Sequence, residues 1–319
     1  MLCIINDNTE PYFNIAAEEY LLKQSSEDIF MLYRNEPSII VGKHQNTFAE
    51  INYRFVTKNN IKVVRRLSGG GTVFHDLGNV NFLFIRNGEE GHLVDFKRFV
   101  KPIIDALNDL GVQAEQNGRN DIVVNDLKIS GNAEHVYKTR TLHHGTLLYS
   151  SNLESLCEGL HVNPDQFKSK AVKSVRSKVT NISEYMTTRL PVTDFVTEVR
   201  EHVLYEFPDV EYYSFTAEDK EKINRLVSEK YSAWDWNFGY SPKFTFSKSG
   251  FVGNKPVDVE LIIEKGVICE VSIFSDQDDL GFIRNILQGT MYREKDISEK
   301  LSGNKMLAIH LDQWIDILV

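Results

Sequence analysis

This chain predicts an α+β protein in two parts, a large N-terminal domain with a mixed sheet and flanking helices and a small α+β C-terminal domain. Three observations lead there. Over the first 150 residues, short apolar runs with β character alternate with helical segments. Their connections are irregular in length and several strands adjoin directly, which favours a mixed sheet over a doubly wound parallel one. After residues 236–242 (WNFGYSP) the texture changes to alternating apolar and polar positions, so a boundary falls near Gly239 to Lys243 and divides the chain into 1–240 and 241–319. A chain of 319 residues, 42% hydrophobic and 25% charged, can bury the cores this division requires.

The elements follow in order. Asn14 is expected to cap a helix through Gln24, with Ile15, Tyr20 and Leu22 on or near its buried side. Strands are expected at 29–33, 38–42, 61–66, 79–85, 122–125 and 145–149. Phe96, Phe99, Val100, Ile103 and Leu107 recur at helical spacing with Gly111 as the stop, although Pro102 argues against an unbent helix. Amphipathic helices at 192–207 and 216–233 would start from Thr193 and Thr216, with Asp219 completing an approximate capping box. In the C-terminal part, strands at 244–248, 257–264 and 266–275, turning at Lys265-Gly266, precede helical runs at 278–288 and 293–301.

Composition excludes several functions. A net charge of −9 disfavours nonspecific binding to duplex nucleic acid, which depends on displacing counterions with Lys and Arg. No run approaches the ~18 apolar residues of a membrane span, and the start MLCIINDNTEPYFN lacks a basic region followed by an apolar one, so a cytoplasmic protein is expected. Cys3, Cys157 and Cys269 contain no Cys-x-x-Cys pair, against a zinc cage or disulfide framework.

Residues 65–79, RRLSGGGTVFHDLGN, form the first candidate site. Three glycines let bare amides approach a ligand, at a cost in backbone entropy. The run fits neither G-x-x-x-x-G-K-[ST] nor G-x-G-x-x-G, and a strand-like NVNFLFI follows it in place of a helix. A strand, an amide-rich loop and a second strand remain, able to wrap a carboxylate and an α-phosphate together or to serve as an unliganded hairpin. GRNDIVVNDLKISGNA, residues 118–133, reads as a β-hairpin turning at Asn125-Asp126, which sets Asp121 and Lys128 on opposite arms within reach of one ligand. Asp121 is a candidate Mg²⁺ ligand, since that ion typically takes one or two carboxylates with phosphate oxygens and water. Lys128 is either the neutralising cation of a reacting carboxylate and phosphate or a solvated surface residue. In HHGTLLYS, residues 143–150, the two histidines lack a third ligand at zinc spacing and are expected to orient substrate or pack beneath it. KSKAVKSVRSKVTNI, residues 168–182, carries five cations and no acid, as a loop closing over a nucleotide, a contact for an acidic partner or a solvated charge run would.

Taken in this order, and with YRNEPSIIVGKHQN at 33–46 upstream, these motifs resemble the lipoate–protein ligase family over nearly the whole chain. The resemblance implies a catalytic fold related to biotin protein ligases and class II aminoacyl-tRNA synthetases. It implies activation of lipoate with ATP to lipoyl-AMP and pyrophosphate, with Mg²⁺, then transfer to a lysine of an acceptor, either glycine-cleavage H protein or the E2 subunits of 2-oxoacid dehydrogenases. It also implies a monomer with no nucleic-acid or membrane partner. By motif, Arg66, Gly71, Thr72, Val73, Phe74, Lys178 and Asn181 would contact the nucleotide, and Lys128 would be catalytic and touch both substrates. Tyr33, Ser68, Gly69, Gly70, His75, Asn79 and His144 would form or support the lipoate pocket. The G-R-G-R type motif of biotin ligases is absent. An ATP-independent lipoyl or octanoyl amidotransferase with a cysteine nucleophile, or a non-catalytic lipoyl-carrier binding protein, is the alternative; Cys157, within an apparent helix, reads as packing.

Overall fold

The computed structural model describes residues 1–88, 93–207, 209–275 and 280–319. Its largest sheet runs in the order Glu211–Ser214, Leu2–Ile5, Ile29–Tyr33, Asn79–Asn87, Arg140–Leu148, Leu127–Tyr137, Asp121–Val124 and Glu115–Asn117. The first three strands are mutually parallel and the later pairs antiparallel, which is the mixed sheet expected from the irregular connections. Its central strands are buried on both faces, and the runs Ile29–Tyr33 and 82–85 carry no charged or amide side chain. Phe30, Phe82 and Phe84 meet the helices Phe96–Asp109 and Val192–Tyr205, while the alternate residues Met31, Leu83 and Ile85 face helix Pro11–Gln24. On that second side also lies a smaller sheet in which Ser38–Val41 sits between Lys62–Arg65 and Val73–His75. The loop 66–72 thus leaves one edge of the small sheet and returns on the other.

Local signals failed at two helix starts. The first helix begins at Pro11 and is capped by Glu10, whose Oε2 accepts the Phe13 amide at 2.7 Å. Asn14 lies inside the helix, fully buried, donating to the Asn8 carbonyl and to Asn35 Oδ1, both at 2.8 Å. The helix Val192–Tyr205 follows Pro191 directly, so Thr193 caps nothing. Thr216 and Asp219 do form a reciprocal capping box on Ala217–Leu226, which continues into π-helical turns at Val227–Tyr231 and Asp235–Gly239. The helix Phe96–Asp109 runs through Pro102 because Phe99, Ile103, Ala106 and Leu107 bury its apolar face. The strand expected at 145–149 starts earlier, at Arg140, which places both histidines within it.

The C-terminal sheet is antiparallel in the order Phe167–Ser169, Phe244–Val252, Lys255–Glu264 and Val267–Phe274, with helices Phe282–Leu287, Glu294–Ser302 and Leu311–Leu318 in its core. Residues 278–279, the start of one expected helical run, lie outside the described residues. Phe48 and Phe167, far upstream in sequence, are buried in this core. No helix among the described residues is long and apolar enough to cross a membrane.

One buried cation ties the small sheet to the segment 42–47 and to the connector at 236–237. Arg65 is fully buried, and its guanidinium donates to the carbonyls of Gln45 (2.8 Å), Gly42 (3.0 Å), Trp236 (3.0 Å) and Asn237 (3.0 Å) and to Thr47 Oγ1 (2.6 Å). Burial lowers its pKa to about 10, which leaves it charged at neutral pH. Removing that charge strands several buried carbonyls. Arg65→Met is expected to cost about 3–5 kcal/mol and lower the thermal midpoint by several degrees in a circular-dichroism melt; an unchanged melt would show that the tie is dispensable.

Candidate active site

Consecutive residues at the end of strand Lys62–Arg65 send their side chains opposite ways. Arg65 faces the connector, and Arg66 faces the glycine loop. Arg66 Nε donates to Ser68 Oγ (2.9 Å), Nη1 to the Ile40 carbonyl (3.0 Å), and Nη2 to the carbonyls of Gly69 (2.6 Å) and Gly71 (2.7 Å). Desolvation pulls this guanidinium down to about 10, so it too is charged at neutral pH. The loop's carbonyls are thereby turned to one cation, while the amides of Gly70 and Gly71 have no partner among the described residues. Gly70 has φ +86°, and a Cβ there would fall 3.0 Å from Arg66 Nη2.

The hairpin forms as its turn residues predict, Asn125 and Asp126 both having positive φ (49° and 62°). A β-bulge shifts the register between Ile122 and Val123, so that Ile122 pairs with Ser130 and Val123 with Lys128. Across the arms, Lys128 Nζ lies 2.9 Å from Asp121 Oδ1. A Cβ on Gly131 would stand 3.0 Å from Lys128 Cε, so this glycine provides the space the lysine fills. The end of the basic run docks on the same residue: the Lys128 amide donates to the Lys178 carbonyl (2.9 Å) and the Thr180 amide to the Lys128 carbonyl (3.0 Å).

Two cavities meet at Lys128. The first, about 440 Å³, extends from Ile15, Tyr33 and Ile40 to the glycine loop and Asp121. The second, about 650 Å³, has an apolar wall that includes Phe74, Leu148, Leu156 and Leu160. Thr72, Val73, Lys128 and Ser174 line both. Molecules filling the two would come together at the lysine.

The first cavity is apolar at Ile15 and Ile40 and carries a few fixed polar groups. Asn14 donates to Asn35 Oδ1 (2.8 Å), which directs the Asn35 amide nitrogen to His75 Nδ1 (3.0 Å). His75 Nδ1 therefore accepts, and the proton resides on Nε2, which is buried without a partner. Burial, with Arg66 and His144 nearby, lowers the His75 pKa to about 3, so the ring is a neutral donor. Glu18, 3% exposed, accepts from Tyr33 Oη (2.8 Å) and lies 2.8 Å from His144 Nδ1, whose Nε2 is 2.6 Å from Ser68 Oγ. A continuous polar chain thus joins Arg66 to Tyr33 through Ser68, His144 and Glu18. His143, one residue away, points to the other face and stacks on Phe99 at 4.9 Å.

Most residues singled out from the sequence meet here. Tyr33, Arg66, Gly70, Gly71, His75, Asp121 and His144 line the first cavity, Phe74 and Lys178 the second, and Thr72, Val73 and Lys128 both. Arg66 and Gly71, expected at the nucleotide, thus lie along the first cavity. Ser68, Gly69, Asn79 and Asn181 line neither. The Asn79 side chain donates to Asn81 Oδ1 (2.9 Å), and Asn181 exchanges two 2.9 Å hydrogen bonds with the Ser151 backbone. Cys157, read as packing, is exposed and stands in the second cavity's wall. Glu18, Gln45, Glu50 and Asn132 were not anticipated; an acid three residues after Ile15 on an apolar helix face was the one available signal. Among the described residues no three His, Cys, Asp or Glu side chains converge as a metal cage. Asp121 offers one carboxylate, with Oδ1 engaged by Lys128, which fits an ion completed by phosphate oxygens and water.

Comparison with known proteins finds relatives along nearly the whole chain. Residues 10–204 match the model of the lipoyl protein ligase A/B catalytic domain, and 241–318 that of the bacterial lipoate protein ligase C-terminus. The chain is 42% identical to lipoate-protein ligase LplJ of Bacillus subtilis over 311 residues, covering 95% of this chain and 94% of that one. It is likewise 42% identical to lipoate–protein ligase 1 of Staphylococcus aureus over 308 residues, with the same coverage. Among solved structures, P. falciparum LipL1 in complex with lipoate superposes with a TM-score of 0.65 at 27% identity, covering 99% of this chain and 98% of that one. An ATP-bound lipoate-protein ligase A shares the fold with a TM-score of 0.60 at 24% identity, over 75% and 98% of the two chains. The chain belongs to the lipoate–protein ligase family.

Proposed function

We propose that the first cavity takes the acyl chain of lipoate and the second takes ATP, with Lys128 at the point where carboxylate and α-phosphate react. The observation that carries this reading is that one lysine lines both cavities. The apolar stretch at Ile15 and Ile40 suits an alkyl chain, and the neutral His75 and the anchored Glu18 to Arg66 chain place polar groups in its wall without an unpaired charge. The apolar wall of the second cavity suits a purine, and Lys178 in its lining suits phosphate.

In the first step a lipoate carboxylate oxygen attacks the α-phosphorus, the bond to the bridging oxygen breaks and pyrophosphate leaves. Lys128 Nζ opposes the negative charge on both reactants and so lowers their mutual repulsion. In the second step an acceptor lysine amine attacks the acyl carbonyl carbon, AMP departs with the electron pair and an amide remains. Asp121 would hold Mg²⁺, which supplies charge neutralisation on the phosphates when bound. The acceptors are lipoyl-type proteins, the glycine-cleavage H protein or E2 subunits, in the cytoplasm. The catalytic unit is 1–240, and 241–319 is accessory. Of the cysteines that a nucleophile alternative could use, Cys3 is buried with its pKa pushed up to about 11, Cys269 lies in a C-terminal strand, and Cys157 alone stands in the wall of a cavity at Lys128.

Lipoate-dependent exchange of labelled pyrophosphate into ATP, run without acceptor protein, should be observed; its absence from folded, Mg²⁺-supplied protein would end the adenylation reading. Lys128→Ala should lower that exchange by roughly 10²–10³-fold, the scale for losing one stabilising donor, with the melt retained. Exchange near the wild-type rate would remove the lysine from the mechanism.

A further inference from the structure

The basic run meets the site at Ser174. Ser174 Oγ accepts from the Thr72 amide (2.9 Å) and from Gln45 Nε2 (3.0 Å), which uses both lone pairs. Its single proton therefore goes to Glu50, whose carboxylate also accepts the Ser174 amide at 3.2 Å. Gln45 is fixed in turn, its Oε1 accepting from the Gly42 amide (2.9 Å) and from Thr72 Oγ1 (2.8 Å). Glu50 is 6% exposed, and no carboxylate among the described residues pairs with Lys170, Lys173, Arg176 or Lys178. Within 173–177, Ser174 alone makes a hydrogen bond to the rest of the described chain, the flanking attachments being the Val172 amide to the His44 carbonyl (3.2 Å) and Lys178 to Lys128. Lys173 and Arg176 are thus held at the cavities through one serine, with Glu50 near enough to Arg176 to feel its charge.

We propose that Gln45 and Glu50 are positioning residues for adenylation: they hold Ser174, and through it they keep 173–177 closed over the junction at Lys128. Neither needs to touch the reacting atoms. The hydroxyl binds Thr72 beside the glycine loop, so the two loops that flank the junction share one anchor. Glu50 supplies the acceptor without which the hydroxyl proton has no place, and Gln45 supplies a donor whose orientation the Gly42 amide already sets.

The test uses the ligand-free full-length protein and trypsin, for which Lys173 and Arg176 are ready cleavage sites. Ser174→Ala and Glu50→Gln should each speed cleavage after these two residues by about tenfold, because local opening governs proteolysis of a folded chain. Ser174 lies in an irregular, half-exposed segment, so its variant should keep the wild-type melt. Ser174→Thr, which retains the hydroxyl, should cleave slowly. In pyrophosphate exchange, any loss in Ser174→Ala should appear as a raised KM for ATP, by less than the factor seen in cleavage because the competent fraction falls less than the open fraction rises, with kcat within about twofold at saturation. Cleavage within about twofold of wild type in both variants, or a fall in kcat at unchanged KM, would overturn the proposal. The cleavage assay contains no substrate, so its outcome is independent of the ligase reading.

Discussion

The site depends on a guanidinium that satisfies backbone carbonyls. A chain that folds back within seven residues, as 66–72 does, leaves carbonyls that no sheet can pair, and burying them unpaired would cost about 1–3 kcal/mol each. Arg66 takes the carbonyls of Ile40, Gly69 and Gly71 together. Its own desolvation is offset by those charge-assisted bonds in place of a carboxylate partner. What this leaves is a loop with the Gly69 and Gly71 carbonyls tied down and the amides of Gly70 and Gly71 without a partner among the described residues, in a chain whose overall charge is −9. An anion is therefore attracted locally to a protein that would repel it at a distance.

The second requirement is that Lys128 stand between two cavities without wandering. Three local features combine. The bulge beside Ile122 sets the register, Gly131 leaves room for the side chain, and Asp121 holds the ammonium from the opposite arm. The backbone is clamped from the third side by Lys178 and Thr180. A lysine loses considerable rotamer entropy when ordered, and these contacts carry that loss before any ligand arrives.

What could be read from the sequence divides along the same line. The glycine loop, the Asn125-Asp126 turn, the placement of Asp121 and Lys128 on opposite arms and the capping box at Thr216 were legible because each rests on residues close in sequence. Asn14 and Thr193 misled because a cap-forming residue near a helix start carries no mark of whether the helix begins before or after it; at both sites a proline starts or immediately precedes the helix. Glu18 was hidden because its partners Tyr33 and His144 lie 15 and 126 residues away. Asn181 shows the converse: it sits in a motif, yet its side chain is spent on the Ser151 backbone.

The short 3₁₀ turn Thr47–Ala49 explains how distant parts of the molecule bear on one anchor. Thr47 binds the buried guanidinium of Arg65 and the Asn237 carbonyl (2.6 Å each). Phe48, next along, packs in the C-terminal core against Tyr292 (4.8 Å) and Phe244 (5.8 Å). Two residues before and after this pair stand Gln45 and Glu50, the partners of Ser174. Interiors are packed closely enough to transmit displacement. The loop over Lys128 and the C-terminal core thus rest on the same six consecutive residues, 45–50, whose start Arg65 holds through the Gly42 and Gln45 carbonyls.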